Sequence, residues 1–66
     1  MHLTERQKTV GALLCEGYSA KMIAAETGWR DQIVRDQVIR LRVRLKARNS
    51  VQAAVLFDRL QRRAGA

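Results

Sequence analysis

The sequence predicts an all-α domain of four helices. No proline occurs in its 66 residues, and glycine appears only at positions 11, 17, 28 and 65, where it acts as punctuation. Between the glycines, apolar residues recur at the 3.6-residue period of helices that bury one side.

Thr4, followed three residues later by Gln7, is a capping-box start, in which a hydroxyl and an amide satisfy free N–H groups of the first turn. The first helix then covers about residues 4–16, with Val10, Leu13 and Leu14 on one face and Gly17 as its stop. Gly11 in its interior costs about 1 kcal/mol relative to alanine, unless a close contact requires it. Ser19 is a good N-cap for a short second helix over about residues 19–27, with Ala20, Ile23, Ala24 and Thr27 as its narrow apolar side. Gly28 ends it in the left-handed conformation that allows a sharp turn.

The third helix spans about residues 31–45, and Asp31 suits the positive end of its dipole. Val34, Val38, Leu41 and Leu45 form its core stripe. The opposite side holds Gln32, Asp36, Ile39 and Val43, flanked by Arg35, Arg42 and Lys46 on one edge and by Arg40 and Arg44 on the other. Asn49 with Gln52 opens a fourth helix over about residues 50–63. It has two apolar sides: Ala53, Leu56, Phe57 and Leu60 on one, and Val51, Ala54 and Val55, with Asp58 and Arg62, on the other. A monomer would leave those valines wet, which argues for a partner.

Residues 1–66 make one domain, since autonomous domains run to roughly 50–200 residues. So short a chain buries only about 60% of its unfolded surface, a further reason to expect a partner. Cys15 is the single cysteine and His2 the single histidine, so an internal disulfide and a zinc-finger ligand set are excluded. Cys15 reads as a packing or rim atom of the first helix, and His2 as part of the terminus. Scattered acids, no nucleophile with a base and no glycine-rich phosphate loop argue against an enzyme, and no cofactor or small-molecule ligand is expected. With no apolar run near 18 residues and no export signal, no membrane association is expected and the cytoplasm is the default compartment.

Charge is unevenly distributed. Thirteen Lys and Arg against six Asp and Glu leave the chain at +7, the footprint of a protein that meets a polyanion. Residues 1–28 are neutral, with three charges of each sign, whereas residues 29–48 carry seven cations against two acids, a net +5. The remaining +2 lies beyond residue 49, in Arg59, Arg62 and Arg63 against Asp58.

A short helix, a glycine turn and a second helix with a basic outer face form the helix-turn-helix arrangement, whose second helix enters the major groove. Leu3-Thr4-Glu5-Arg6-Gln7, Glu16-Gly17-Tyr18-Ser19-Ala20-Lys21, Ile23-Ala24-Ala25 and Val34-Arg35 fall at spacings that resemble the LuxR/FixJ/GerE-type DNA-binding domain. The likeness continues without gaps through Val38, Leu41, Arg44-Leu45, Arg48-Asn49 and Ala53, and so covers about residues 3–60. It implies a tri-helical core plus a C-terminal dimerisation helix, binding a palindromic double-stranded DNA site as a homodimer. Trp29, Arg30 and Ile33 stand where such domains usually have an aliphatic residue, a serine and a threonine. Met22, Gln37 and Lys46-Ala47 replace a frequent glutamate, histidine and Gly-Val. Most of these departures fall at the DNA-facing end. Trp29 is expected to wedge between the second and third helices.

On this reading Gln32, Arg35, Asp36, Ile39 and Arg40 are the base-reading candidates, because they occupy the outer face of the early turns of the third helix. Phosphate candidates are Arg30, Arg42, Arg44, Lys46 and Arg48, together with Ser19, Ala20 and Lys21 at the second helix's N-terminus. Val51, Ala54 and Val55 would form an isologous contact, with Asp58 and Arg62 pairing across it. Many such domains follow a sensor domain. Here the motif begins at Leu3, so a stand-alone transcriptional regulator is expected, with another transcription regulator or RNA polymerase as further partners. A competing reading is a protein-interaction module that sequesters a related regulator through the fourth or third helix. A sigma-factor-like helix-turn-helix is a third, against which the well-formed fourth helix argues.

Overall fold

A computed structural model describes residues 3–65; Met1, His2 and Ala66, and with them the reading of His2, lie outside the described residues. The protein is all-helical there, with four helices and no strand: α1 (Glu5–Cys15), α2 (Ala20–Thr27), α3 (Asp31–Leu45) and α4 (Ser50–Gly65).

Local chemistry sets the ends. Thr4 accepts from the Gln7 N–H at 3.1 Å while the Gln7 side chain accepts from the Thr4 N–H at 3.1 Å, a complete capping box. At the other end of α1 the Gly17 N–H donates to the Leu14 carbonyl and the Tyr18 N–H to the Leu13 carbonyl, with Gly17 at φ 89°. That is a Schellman closure, and glycine supplies its left-handed residue without a Cβ penalty. Ser19 Oγ caps α2 by accepting from the Met22 N–H at 3.2 Å, and Gly28 closes it at φ 77°.

The end of α3 repeats the Schellman pattern with a different residue. The Lys46 N–H donates to the Val43 carbonyl and the Ala47 N–H to the Arg42 carbonyl, and the left-handed residue is Lys46 itself, at φ 57°. An L-residue there costs roughly 1–2 kcal/mol that glycine avoids. At α4 the Gln52 N–H donates to Asn49 Oδ1 at 2.8 Å, but Gln52 Oε1 accepts from the Arg48 N–H and not from Asn49. The expected box is displaced by one residue on its return leg.

Leu3, Val10, Ile23, Ala24, Val34, Val38, Leu41 and Phe57 form the core, and Ala53 is also fully buried. Leu13, Leu14, Ala20, Trp29, Leu45 and Leu60 pack against it half-buried. The core stripes read from helical periodicity are the inward ones, because one face of each helix must leave water, although Leu56 on the α4 stripe is only half-buried. α1 packs on both α3 and α4, α2 packs on α3, and α3 packs on α4. Gly11 is explained by the crossing of α1 and α4: a Cβ added there would lie 2.6–2.7 Å from ring atoms of Phe57. The helix-weakening glycine is what lets this aromatic ring reach the core. No described helix is long and apolar enough to cross a membrane.

Candidate nucleic-acid interface

Burial of Val34, Val38 and Leu41 fixes the rotation of α3, because one stripe turned inward leaves the opposite stripe outward. Gln32, Arg35, Asp36, Ile39 and Arg40 are all exposed on that outward side. Four of them, Gln32, Arg35, Asp36 and Ile39, line one shallow open cleft together with Arg30, Ile33 and Gln37. Arg40 lies beside the adjoining groove with Gln7, Ile39, Val43 and Arg44. Asp36 and Arg40 bridge the two, Arg40 Nε donating to Asp36 Oδ2 at 2.8 Å.

One cation in the cleft comes from elsewhere in the chain. Arg6 of α1 lines it, with its guanidinium carbon 5.5 Å from the centroid of the Trp29 ring. A cation over the face of an indole is held by the ring quadrupole, worth about 0.5–1 kcal/mol where the pair is exposed. Trp29 is half-buried against the core in the α2–α3 connection, and its ring meets Arg6 of α1. Its backbone N–H donates to Thr27 Oγ1 at 3.2 Å, while that hydroxyl donates to the Ile23 carbonyl at 2.8 Å. Sequence reasoning missed Arg6 because its partner is 23 positions away and no local pattern joins them. Arg30, the N-cap of α3, makes no side-chain cap bond, as the missing hydroxyl at that position leads one to expect.

The phosphate candidates divide. Ser19 and Lys21 are exposed at the start of α2, while Ala20 is half-buried against the core. Arg44, Lys46 and Arg48 are exposed beyond the cleft. Arg42 differs from the expectation: it is half-buried, its Nη2 donates to the Arg48 carbonyl at 2.6 Å, and its Nε is buried without a hydrogen-bond partner. The left-handed turn at Lys46 folds the chain back far enough for that bond, which makes Arg42 a strut of the α3–α4 connection.

A second surface lies on α4. Val51 is 75% exposed and Val55 46%, next to half-buried Ala54 and Asp58 and exposed Arg62. Asp58 and Arg62, expected to pair across an interface, pair within α4 in the single chain: Arg62 Nε donates to Asp58 Oδ2 at 2.9 Å, because i,i+4 spacing puts them side by side. Cys15 borders this surface. Although the residue is exposed, its Sγ turns in to donate to the Ala54 carbonyl at 3.2 Å. Burial, and secondly the Asp58 carboxylate, raise its thiol above the ordinary value, against a smaller lowering by a backbone hydrogen bond from Asp58.

No group of three or more His, Cys, Asp and Glu that would hold a metal ion occurs among the described residues. Comparison with known proteins gives no match of any kind: no family model, no curated protein and no solved structure is significantly similar to this chain.

Proposed function

We propose that this chain is a sequence-specific double-stranded DNA-binding transcriptional regulator, with α2, the Gly28 turn and α3 serving as a LuxR-type helix-turn-helix. In this reading α3 enters the major groove. Gln32, Arg35, Ile39 and Arg40 meet base edges, with Asp36 beside them, while Lys21, Arg30, Arg44, Lys46 and Arg48 meet phosphates. The observation that carries it is the segregation of charge. The basic segment coincides with a helix whose inner stripe is locked in the core, so Arg35 and Arg40 are presented outward from a rigid support. Arg6, held over Trp29, adds a cation at the same cleft.

The exposed valines of α4 support a two-fold contact between copies, centred on Val51, Ala54 and Val55. Such a dimer sets its two α3 helices about one DNA turn, roughly 34 Å, apart. Binding of the purified protein to duplex DNA at several salt concentrations tests the proposal. A steep log–log decline of affinity with salt is expected from several phosphate contacts, and a flat response refutes DNA binding.

One observation favours a second reading. Ile39 and Val43 form an exposed apolar pair one turn apart on α3, Val43 being 72% exposed, and Asp36 weakens the attraction of that face for phosphates. A protein-interaction module that sequesters a related regulator through α3 or α4 would use these features. Tight binding of such a regulator with no salt-dependent DNA affinity would establish it.

A further inference from the structure

Asp36 is the anomaly of the basic face. It is exposed amid a segment of net charge +5, where a carboxylate repels the phosphates that the arginines attract. Its ion pair with Arg40 does not explain it as a stability device. The two side chains are 51% and 65% exposed, and pairs so open to water contribute little to folding. The geometry of the pair is informative instead.

Arg40 offers Asp36 its Nε–H, at 2.8 Å from Oδ2. A guanidinium is a rigid planar fork of five donors, so a bond at the Nε edge fixes the plane and leaves the fork formed by the two terminal amino groups on other edges. That terminal fork matches the O6 and N7 acceptors of guanine in the major groove. The side chain of a helical residue leans toward the helix N-terminus, so Arg40 reaches back over the turn that carries Asp36, toward the cleft lined by Gln32 and Arg35. An unrestrained arginine there would sample many rotamers and bond any nearby phosphate. One tethered by its neighbour samples fewer of those rotamers before DNA arrives.

We propose that Asp36 is a positioning residue that holds Arg40 as a guanine-reading fork, exchanging some general affinity for DNA for discrimination at one G·C pair in each half-site. This rests on the DNA-binding reading given above and assigns that site a specificity-determining pair. Asp36 touches no base in this arrangement and acts through Arg40. Its loss therefore has effects of opposite sign: binding to arbitrary DNA tightens, because one negative charge leaves the face, while the preference for guanine is lost.

The experiment is selection from a randomised duplex library by wild type, D36A, D36N, R40A and R40K, followed by titration of the selected duplex, of the same duplex with the preferred G·C changed to A·T, and of one carrying 7-deazaguanine, which lacks N7. Wild type is expected to prefer guanine at one position per half-site by about tenfold and to weaken on 7-deazaguanine. D36A and D36N are expected to lose that preference and to be indifferent to 7-deazaguanine, while binding random duplex about two- to fivefold more tightly at low salt. R40K, which keeps the charge without the fork, shows a weaker preference. Both side chains lie at the surface, and unchanged helical circular dichroism verifies that the variants fold. Retention of the guanine preference by D36A and D36N overturns the proposal while leaving DNA binding intact. Retention by R40A with loss in D36A overturns it in favour of direct reading by Asp36. A wild type that binds no duplex, or enriches no sequence, overturns both this proposal and the function it rests on.

Discussion

α3 and α4 are nearly the same length, and each turns one apolar stripe into the same core, yet their outer faces differ in charge. Outside, α3 sets Arg35, Arg40 and Arg44 around exposed Ile39 and Val43, whereas the first half of α4 exposes Val51 and Val55 with no cation among them. The inner stripes are interchangeable in kind and determine the fold. The outer stripes are not, and on the proposed function they divide the partners: a polyanion for α3, an apolar surface such as a second copy for α4.

The sharpest way to break this contrast is to invert the sign on α3. Arg35→Glu changes the charge of the proposed DNA-reading face by two units at an exposed position, so specific binding is expected to fall about 100-fold or more, with helical content and melting temperature unchanged. Fluorescence anisotropy on a selected duplex, with circular dichroism beside it, measures both. A wild-type affinity would remove Arg35 from the site. The matching change on α4 is Val55→Asp, which places a carboxylate at the centre of the proposed two-fold contact. Self-association by analytical ultracentrifugation is expected to weaken about 30-fold, and affinity for a palindromic site falls with it. Unchanged mass and unchanged operator affinity would show that the interface lies elsewhere.

How far these faces are legible in sequence depends on the range of the interactions that make them. Caps involve neighbours three residues apart, so Thr4–Gln7, Ser19 and Gly28 announce the helix ends, and a buried stripe at helical period announces which side of α3 faces out. Features that depend on a second helix do not show themselves in the same way. Gly11 reads equally as a weak point or as a close contact, and only Phe57, 46 positions away, decides between them. Arg42 reads as one more basic residue on a basic helix until the left-handed turn at Lys46 brings the Arg48 carbonyl to it. Arg6 joins the cleft only because Trp29 is wedged where its ring meets α1.

A change to the shared inner face affects both outer faces at once. Gly11→Ala gains about 1 kcal/mol of helix propensity but drives a methyl group into the buried Phe57 ring, and overpacking of that kind costs about 1–3 kcal/mol. Net destabilisation is therefore expected, with a melting temperature lowered by roughly 4–8 °C per kcal/mol in a domain of this size. A more stable variant would mean that α1 and α4 separate without loss. The joint between the two helices responds in the other direction. Lys46→Gly relieves the left-handed strain of an L-residue while adding freedom to the unfolded chain, for a net gain of about 0.5–1 kcal/mol by thermal or urea unfolding. If Lys46 also meets a phosphate, the same variant shows a shallower salt dependence of DNA binding.

The smallest effect expected is at the edge of the α4 face. Because the folded chain raises the Cys15 thiol, the native state holds that proton more tightly than the unfolded state does. The stabilisation is fully present below the unfolded thiol's pKa and is lost as pH rises through the folded one. Alkylation by iodoacetamide at pH 8 is expected to be slower in the native protein than in urea, and urea stability to decline slightly above about pH 8.5. Equal alkylation rates in the two states would argue that the thiol does not sit against the Ala54 carbonyl.

The position of Arg6 over Trp29 gives the molecule an optical gauge of its own state. The chain has one tryptophan, and the structure sets it half in the core and half at the mouth of the candidate cleft. Its emission is therefore sensitive to water entering the core on unfolding and to any anion that draws Arg6 off the ring. The two events shift the spectrum differently, a red displacement for the first and a change of intensity for the second. The unlabelled protein thus distinguishes unfolding from any anion binding at that cleft, in a single cuvette.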